Sequence, residues 1–249
     1  MLKALIIFLK AQILLAQTPS SNDLETFANY INSLNEPTLA ETAGSMGSFG
    51  TELSLGATNV EKINSNRLLQ SELGLSAKQN PPTYMPKAWI QKGLPWPINV
   101  NIFGGVPNDT DLHHYGASVQ WTVFEGFQMP AVAARYIHAR TGGFKNTKVR
   151  SNTFSASVSY GLFSYFQFFG DISRTETDID IFVDAQSPIS FLIEEIDAKS
   201  DEVKVRMKSE SMAVGCKIAV IPGVVTAAVE TRNNSDSTSS STFKLSTFF

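Results

Sequence analysis

The chain has 249 residues, of which 43% are hydrophobic, a net charge of −3 and one cysteine, Cys216. The single cysteine excludes an internal disulfide framework, so an exported protein of this size needs a large core or a closed barrel for its stability. The small negative charge is spread along the chain and excludes a basic footprint for nucleic acid. A single domain of this length is consistent with a barrel or a sandwich.

The first 16 residues have the composition of a cleaved export signal. Lys3 provides a basic start, and an apolar run from Ala4 to Ala16 precedes a polar stretch that begins at Gln17. This run is shorter than the ~20 residues that a membrane-spanning helix needs. Lys10 interrupts the run and departs from the usual pattern, and a membrane-anchoring helix is the alternative. We therefore expect a signal peptide at 1–16 and an exported mature chain.

An amphipathic helix is predicted at 22–35, within a periplasmic segment at 17–43. Asn22 and Glu25 have the spacing of a capping box, and Pro37 ends the pattern. Four apolar residues recur at helical intervals, namely Leu24, Phe27, Ile31 and Leu34. We expect this helix to pack against the mouth of the following domain, with a plug or a partner-binding helix as the alternatives.

From Gly44 onward, polar and apolar residues alternate with a period of two, which indicates strands with two different faces. The clearest case is the alternation of Thr153 and Ser155 with Phe154 and Ala156. Ten strands with an apolar outer face are predicted, at 47–59, 84–92, 97–105, 114–124, 130–140, 153–160, 164–173, 208–221, 223–232 and 241–249. Segments of about ten residues fit a tilted strand across a hydrocarbon layer, although a soluble sandwich would alternate in a similar way.

The connections between these strands differ in length at the two ends. One end has short turns, at 93–97, 125–129, 162–164 and 222–223. The other end has longer polar connections, at 60–83, 106–113, 141–147, 174–207 and 233–240. This asymmetry is typical of outer-membrane barrels, with the short turns in the periplasm, and a sandwich has no reason to sort its loops in this way.

Aromatic residues lie at the short-turn end, where amphipathic rings favour a membrane interface. They are Trp96, Phe124, Phe127, Phe163, Tyr165 and Phe249. The connection at 174–207 contains two apolar stretches, at 179–183 and 189–193. We expect an extended hairpin that rises from the barrel rim, because acidic residues crowd the second stretch; two further membrane strands, which would make twelve, are the alternative.

The last nine residues place Phe243, Leu245 and Thr247 on one face and end on an aromatic residue, Phe249. This segment resembles the closing strand of bacterial outer-membrane β-barrels, whose assembly machinery recognises a terminal Phe preceded by apolar residues at alternate positions. The resemblance implies that Phe243, Leu245 and Phe249 act as an assembly signal. It also implies an all-β, antiparallel transmembrane β-barrel at 44–249, with about ten strands (between eight and twelve), in contact with lipid in the outer membrane of a Gram-negative bacterium.

Seven charged residues fall on the predicted inner face, with both signs in near balance. They are Glu52, Lys87, Arg135, Asp171, Lys217, Glu230 and Lys244. The interior of a ten-stranded barrel is narrow, so we expect these side chains to pair across it and fill it. A charge-selective pore is the alternative.

A cluster on the predicted outer rim contains Asp109, Asp111, His113 and His114. An Asp and a His together can deprotonate a water, and the ten-stranded omptin proteases are similar in placing Asp and Asp/His pairs on their extracellular rim. Here both patterns overlap in one loop, whereas that family takes them from opposite walls. A solvated polar loop is the simpler interpretation. Metal binding lacks a third recognisable ligand.

These observations predict an outer-membrane barrel with a structural or surface-interaction role, no enzymatic activity and no cofactor. The barrel-assembly machinery and outer-membrane lipid are the expected partners, together with an envelope or surface partner that the sequence does not specify. A narrow, porin-like channel for small solutes is the main alternative, and an omptin-like surface hydrolase is the weaker one.

Overall fold

The computed structural model describes residues 30, 40–60, 73, 83–107, 110–126, 129–162, 165–182, 202–235 and 238–249. Within these residues the chain forms ten strands: β1 Thr51–Val60, β2 Tyr84–Gly93, β3 Ile98–Gly105, β4 His113–Phe124, β5 Ala131–Gly142, β6 Thr147–Leu162, β7 Phe166–Phe182, β8 Glu202–Ile221, β9 Val225–Asn234 and β10 Ser239–Phe248. Each strand pairs with the next in antiparallel fashion, and β1 pairs with β10 to close a barrel. The predicted all-β, antiparallel barrel of ten strands is confirmed.

The terminal strand closes the barrel through its whole length. Leu55 of β1 lies opposite Leu245 of β10, and Ala57 lies opposite Phe243. At the end of the ladder, the Thr51 amide donates to the Phe249 carbonyl at 3.2 Å and the Phe249 amide donates to the Thr51 carbonyl at 3.0 Å. Phe243, Leu245 and Phe249 are all exposed on the outside of the barrel.

The predicted N-terminal elements lie outside the described residues. This applies to the signal peptide at 1–16 and to the helix at 22–35, apart from Tyr30, which has a helical backbone and is buried. Of the predicted periplasmic segment at 17–43, Ala40–Ala43 are described, and they lie inside the barrel instead of beside it. No helix among the described residues has the length and hydropathy of a membrane span.

The two faces of the barrel wall have opposite polarity along most of each strand. On β6, Phe154 and Val158 are exposed on the outside, whereas Thr153 and Ser157 are buried inside. Some of the buried hydroxyl groups bond to one another across neighbouring strands. Thr153 Oγ1 lies 2.8 Å from Thr175 Oγ1, and Ser173 Oγ lies 2.7 Å from Ser211 Oγ. A water-soluble sandwich would show the reverse, with apolar residues inside.

The connections at the two ends are less different than the sequence predicts. The turn end, where strands connect through 94–97, 125–130, 163–165 and 222–224, has the expected short turns. The loop end connects them through 61–83, 106–112, 143–146, 183–201 and 235–238, and two of these connections have only four residues. The predicted loops at 141–147 and 233–240 are shorter because the flanking strands continue into them.

In the described part of the segment at 174–207, β7 and β8 continue as an antiparallel pair, and no further strand joins the barrel there. β7 continues to Phe182 and β8 begins at Glu202, so both strands run well past the predicted limits of 173 and 208. Alternation continues in this part, but the outward side chains become charged, as at Arg174 and Asp178. The apolar outer face on which the prediction depended is therefore absent here.

Candidate functional site

The barrel interior holds a stretch of chain that precedes the first strand. Residues 40–46, here called the inner segment, fold back into the barrel from the start of β1 at the turn end. The reversal occurs at Gly47, whose φ of +67° is a left-handed conformation that glycine adopts without strain, and the Gly50 amide donates to the Gly47 carbonyl at 3.3 Å. Ala40 and Ala43 are 1% and 0% exposed. The inner segment thus occupies space that would otherwise belong to a lumen.

Inward side chains of the wall satisfy the backbone amides of the inner segment. The Ala40 amide donates to Glu230 Oε2 at 2.8 Å, and the Ala43 amide donates to Ser159 Oγ at 3.1 Å. Residues 40–46 pair with no strand, so these side chains replace the partners that a sheet would provide.

The carbonyl groups of the inner segment are satisfied in the same way. Thr122 Oγ1 donates to the Ala43 carbonyl at 2.8 Å, and Gln120 Nε2 lies 3.2 Å from the carbonyls of both Thr42 and Gly44. Asn99 Nδ2 donates to the Gly44 carbonyl at 3.1 Å. Buried polar residues on the wall therefore bind the inner segment as a peptide.

Glu41 is the charged residue of the inner segment, and three strands contact its carboxylate. Asn101 Nδ2 on β3 donates to Oε1 at 2.6 Å, and Lys244 Nζ on β10 lies 3.3 Å from the same oxygen. Arg135 Nη2 on β5 lies 3.8 Å from Oε2, and the Arg135 guanidinium also donates to Gln120 Oε1. Glu41 is not among the predicted interior residues, because it belongs to the predicted periplasmic segment at 17–43.

A second carboxylate, Glu52, links two lysines nearer the turn end. Lys244 Nζ lies 2.8 Å from Glu52 Oε1, and Lys217 Nζ lies 3.2 Å from Glu52 Oε2. The Lys217 ammonium also lies 4.8 Å from the centre of the Phe248 ring. Because Lys244 contacts Glu41 as well, four charged side chains form a continuous chain across the interior.

A third group of charges surrounds Arg232. Its guanidinium lies 2.9 Å from Asp171 Oδ1 and 3.2 Å from Glu230 Oε1. It also donates to Ser173 Oγ at 2.8 Å and to Ser211 Oγ at 2.9 Å. Arg232 was not among the predicted interior residues, although it has the same parity as Glu230 on β9 and could have been identified on that basis.

All seven predicted interior charges face the inside of the barrel. Six are buried, and Lys217 is partly buried. Ion pairs involve Glu52, Arg135, Asp171, Lys217, Glu230 and Lys244. A cavity of about 520 Å³ remains at the turn end, and Glu41, Glu52, Glu125 and Lys217 are among the residues that line it.

The predicted rim cluster is divided between the two faces of β4. Asp109 lies outside the described residues, and Asp111 is exposed. His113 also faces outward, and its Nδ1 lies 3.2 Å from the main-chain carbonyl of Asp111. His114 faces inward, is buried, and places its Nδ1 3.0 Å from Thr141 Oγ1. The two imidazoles therefore point to opposite sides of the wall, as neighbours on a strand must.

In the part of the chain that the structure describes, no three His, Cys, Asp or Glu side chains come together as a candidate metal site. Four of the predicted turn-end aromatics, namely Trp96, Phe124, Tyr165 and Phe249, are exposed. The other two, Phe127 and Phe163, are not among the described residues.

No protein-family model matches the chain, and no curated protein matches it. Several solved structures are similar to the chain. The chain is similar to the N-terminal β-barrel domain of Pseudomonas aeruginosa OprF, with 8% identity, a TM-score of 0.36, and coverage of 82% of this chain and 99% of that one. It is also similar to the KdgM porin, with 4% identity, a TM-score of 0.41, and coverage of 80% and 99%.

A third similar structure is Ail, the attachment invasion locus protein of Yersinia pestis, with 10% identity, a TM-score of 0.35, and coverage of 81% of this chain and 98% of that one. At such identities the likeness is one of barrel fold. The structures that this closed ten-stranded barrel is similar to are thus bacterial outer-membrane β-barrels, and no specific member is identified.

Proposed function

We propose that this protein is an integral barrel of the outer membrane of a Gram-negative bacterium, with a structural or surface-interaction role and an interior that conducts no steady current. The observation that carries the proposal is the occupied interior. The inner segment crosses the space inside the wall, and Glu41, Lys244, Glu52 and Lys217 form a chain of ion pairs beside it. A wide aqueous pore would instead leave such charges hydrated.

Membrane insertion is supported by the polarity of the outer face. On β6 the outward residues from Phe154 to Leu162 include no charged side chain. This stretch spans about 20 Å along the barrel axis for a rise of ~3.3 Å per residue and a tilt of ~40°, close to the apolar band of known outer-membrane barrels. In water such a face would be a large exposed apolar patch and would aggregate. In lipid it is the expected surface.

The orientation belongs to the same proposal. The turn end would face the periplasm, where the exposed rings of Trp96, Phe124 and Phe249 would lie at the interface. The extended β7–β8 hairpin would then rise on the cell surface. Export by a signal peptide and recognition of the terminal strand by the assembly machinery complete the proposal, and an unspecified envelope or surface partner would contact the loop end.

Planar-bilayer recording tests the closed interior. Purified barrel should insert without a steady single-channel current, because the inner segment and the paired charges occupy the interior. Heat-modifiable migration on a detergent gel should accompany this result and would demonstrate that the inserted protein is an intact barrel. A steady current through intact barrels would overturn the proposed role in favour of a channel.

The narrow channel remains the second candidate function because of how the inner segment is held. Side-chain hydrogen bonds and ion pairs bind it to the wall, without strand pairing, and a cavity of about 520 Å³ lies beside it.

A surface hydrolase has less support, since His114 faces the interior and leaves Asp111 and His113 as its candidate residues. Substitution His113→Ala should leave any surface hydrolysis unchanged; its loss would favour the hydrolase.

A further inference from the structure

Three side chains of the barrel wall converge on a carboxylate that does not belong to the wall. Asn101, Arg135 and Lys244 lie on three different strands, are all buried, and contact Glu41 at 2.6, 3.8 and 3.3 Å. We propose that the wall contains a binding site for a small anion of the monocarboxylate class, formed by these three residues, and that Glu41 occupies it as an internal ligand. The inference depends on the proposed closed interior, since it identifies what the inner segment covers.

The charge of the wall supports a site for an anion. Among the described strands, five inward side chains are basic (Lys87, Arg135, Lys217, Arg232, Lys244) and three are acidic (Glu52, Asp171, Glu230). The acidic residues of the wall are already paired, Asp171 and Glu230 with Arg232 and Glu52 with Lys217 and Lys244. The excess of positive charge belongs to the wall, and Glu41 compensates part of it from the inner segment.

Arg135 depends on this compensation more than the other two residues do. Among the described residues, Glu41 is the one carboxylate in ion-pair contact with its guanidinium, and the other partner of that guanidinium is the neutral Gln120. Removing a single partner from a buried ion pair leaves a charge that the interior solvates poorly. An anion from solution would therefore be drawn to Arg135 whenever the inner segment leaves.

The geometry of the contacts favours a monocarboxylate. Asn101 and Lys244 approach one oxygen of Glu41, and Arg135 approaches the other. A planar group with two oxygens and one negative charge matches two hydrogen-bond donors, Asn101 and Lys244, and the guanidinium of Arg135 in ion-pair contact. A phosphate would bring further oxygens and charge without further donors. The cavity at the turn end has Glu41 in its lining, so it reaches the carboxylate that occupies the site.

Trp89 provides a readout of this site, because its ring centre lies 5.6 Å from Lys244 Nζ. The other two tryptophans, Trp96 and Trp121, are exposed on the outside and can be replaced by Phe in every sample. In this background we compare the full-length chain with a variant that lacks residues 17–46, both refolded in detergent. Quenching of Trp89 emission by iodide reports access of an anion, and quenching by neutral acrylamide reports access alone.

In the deletion variant, iodide should quench Trp89 more strongly than acrylamide does, and acetate should suppress the iodide effect in a saturable manner. The full-length chain should show neither response. Adding Arg135→Gln to the deletion variant should weaken the acetate effect by roughly ten- to a hundredfold, the factor for losing a hydrogen bond to a charged group. Equal quenching by iodide and acrylamide, or an acetate effect that is unsaturable or independent of Arg135, would overturn the anion site.

Point substitutions keep the test decisive should the deletion variant fail to migrate as a folded barrel. Glu41→Gln retains the inner segment and removes its negative charge, so iodide quenching should rise above that of the full-length chain. Glu125→Gln is the matched control, because Glu125 Oε2 accepts from the Ser45 amide at 3.0 Å but makes no contact with Asn101, Arg135 or Lys244 among the hydrogen bonds and ion pairs described. It should leave quenching unchanged. Equal responses of the two variants would contradict the anion site, whereas a steady current through the full-length barrel would contradict the proposed function alone.

Discussion

Two parts of the same barrel wall differ in the polarity of their outer face. In the first, the apolar band, the outward residues of β6, β7 and β8 are apolar, as at Phe154, Ile172 and Met212, while the inward ones are mostly small or polar. In the second, the charged extension toward the loop end, most outward residues of the same strands are charged, and the buried inward residues include Ile179 and Ile181 as well as threonines. The alternation is the same in both parts. The outer face therefore changes from apolar to charged along the strands while the inner face stays buried.

The change occurs at a similar level on three neighbouring strands. Outward residues become polar from Phe154 to Asn152 on β6, from Ile172 to Arg174 on β7 and from Met212 to Glu210 on β8. In the strand register, the changes on β7 and β8 coincide, and the change on β6 is displaced from them by two residues. Above this level the outward charges pair across strands, as in Arg206–Asp178 at 2.7 Å and Arg150–Asp180 at 3.1 Å. A level step of this kind is what the edge of a hydrocarbon layer would produce.

The largest predicted effect concerns the ion pairs inside the apolar band. Arg232→Met leaves Asp171 and Glu230 buried without their common partner, and we expect it to destabilise the barrel by about 3–5 kcal/mol. Urea-induced unfolding in lipid vesicles, followed by gel migration, measures the change. A loss below about 1 kcal/mol would mean that water reaches these carboxylates and that the interior is open.

A charge on the outside of the apolar band should have the next largest effect. Val158 faces outward in the middle of the β6 part of this band. Val158→Arg should cost about 2–4 kcal/mol, because the guanidinium would lie near the centre of the hydrocarbon layer. Asn152→Arg, on the same face of β6 but in the charged extension, is the control and should cost less, because it loses the hydrogen bonds of Asn152 Oδ1 to Tyr136 and His138 but places no charge inside the apolar band. Equal effects of the two substitutions in vesicles would argue against a lipid boundary between them.

The interior of the charged extension should behave as an ordinary protein core. Ile179 is 1% exposed, and Ile179→Ala should cost about 2 kcal/mol or more because it removes packed methyl groups and leaves a cavity. Ile172→Ala, on the outside of the apolar band, should cost less, since lipid can fill the space. Protease susceptibility of the β7–β8 hairpin, combined with urea unfolding, distinguishes a local from a global loss. A smaller effect at Ile179 than at Ile172 would contradict this comparison.

The smallest effect is expected for the exposed ion pairs. Arg206 and Asp178 lie closer together than Arg232 and Asp171, at 2.7 Å against 2.9 Å, but their side chains are 66% and 37% exposed. Arg206→Met should therefore destabilise the barrel far less than Arg232→Met does, and less still in high salt. Measured beside Arg232→Met in the same vesicles, it separates the effect of burial from that of distance. Comparable losses for the two variants would show that burial is not the deciding factor.

The sequence predicts the wall of the barrel well because alternation is a local property. The period of two places Lys87, Trp89 and Gln91 on the inner face and Ala88 and Ile90 on the outer face, as the structure does. The length of β7 and β8 was underestimated for a physical reason. The prediction required an apolar outer face, and the charged extension has a charged one.

The content of the barrel could not be predicted in the same way. Residues 40–46 have no periodic pattern, and their partners are far away in sequence; Glu41 contacts Lys244 across 203 positions. Parity can place a residue inside the wall but cannot say which residue it meets there. The alternation along β9 is enough to place Arg232 on the inner face, whereas the position of Glu41 depends on the backbone reversal at Gly47.

The hydrogen bonds between Thr51 and Phe249 have a consequence for the order of folding events. They join the start of the barrel wall to its last strand, so the wall cannot close before β10 is in place. Until then β1 offers an open edge, and such an edge pairs readily with any other strand nearby. The early hairpins therefore have to be kept from associating with one another until β10 pairs with β1.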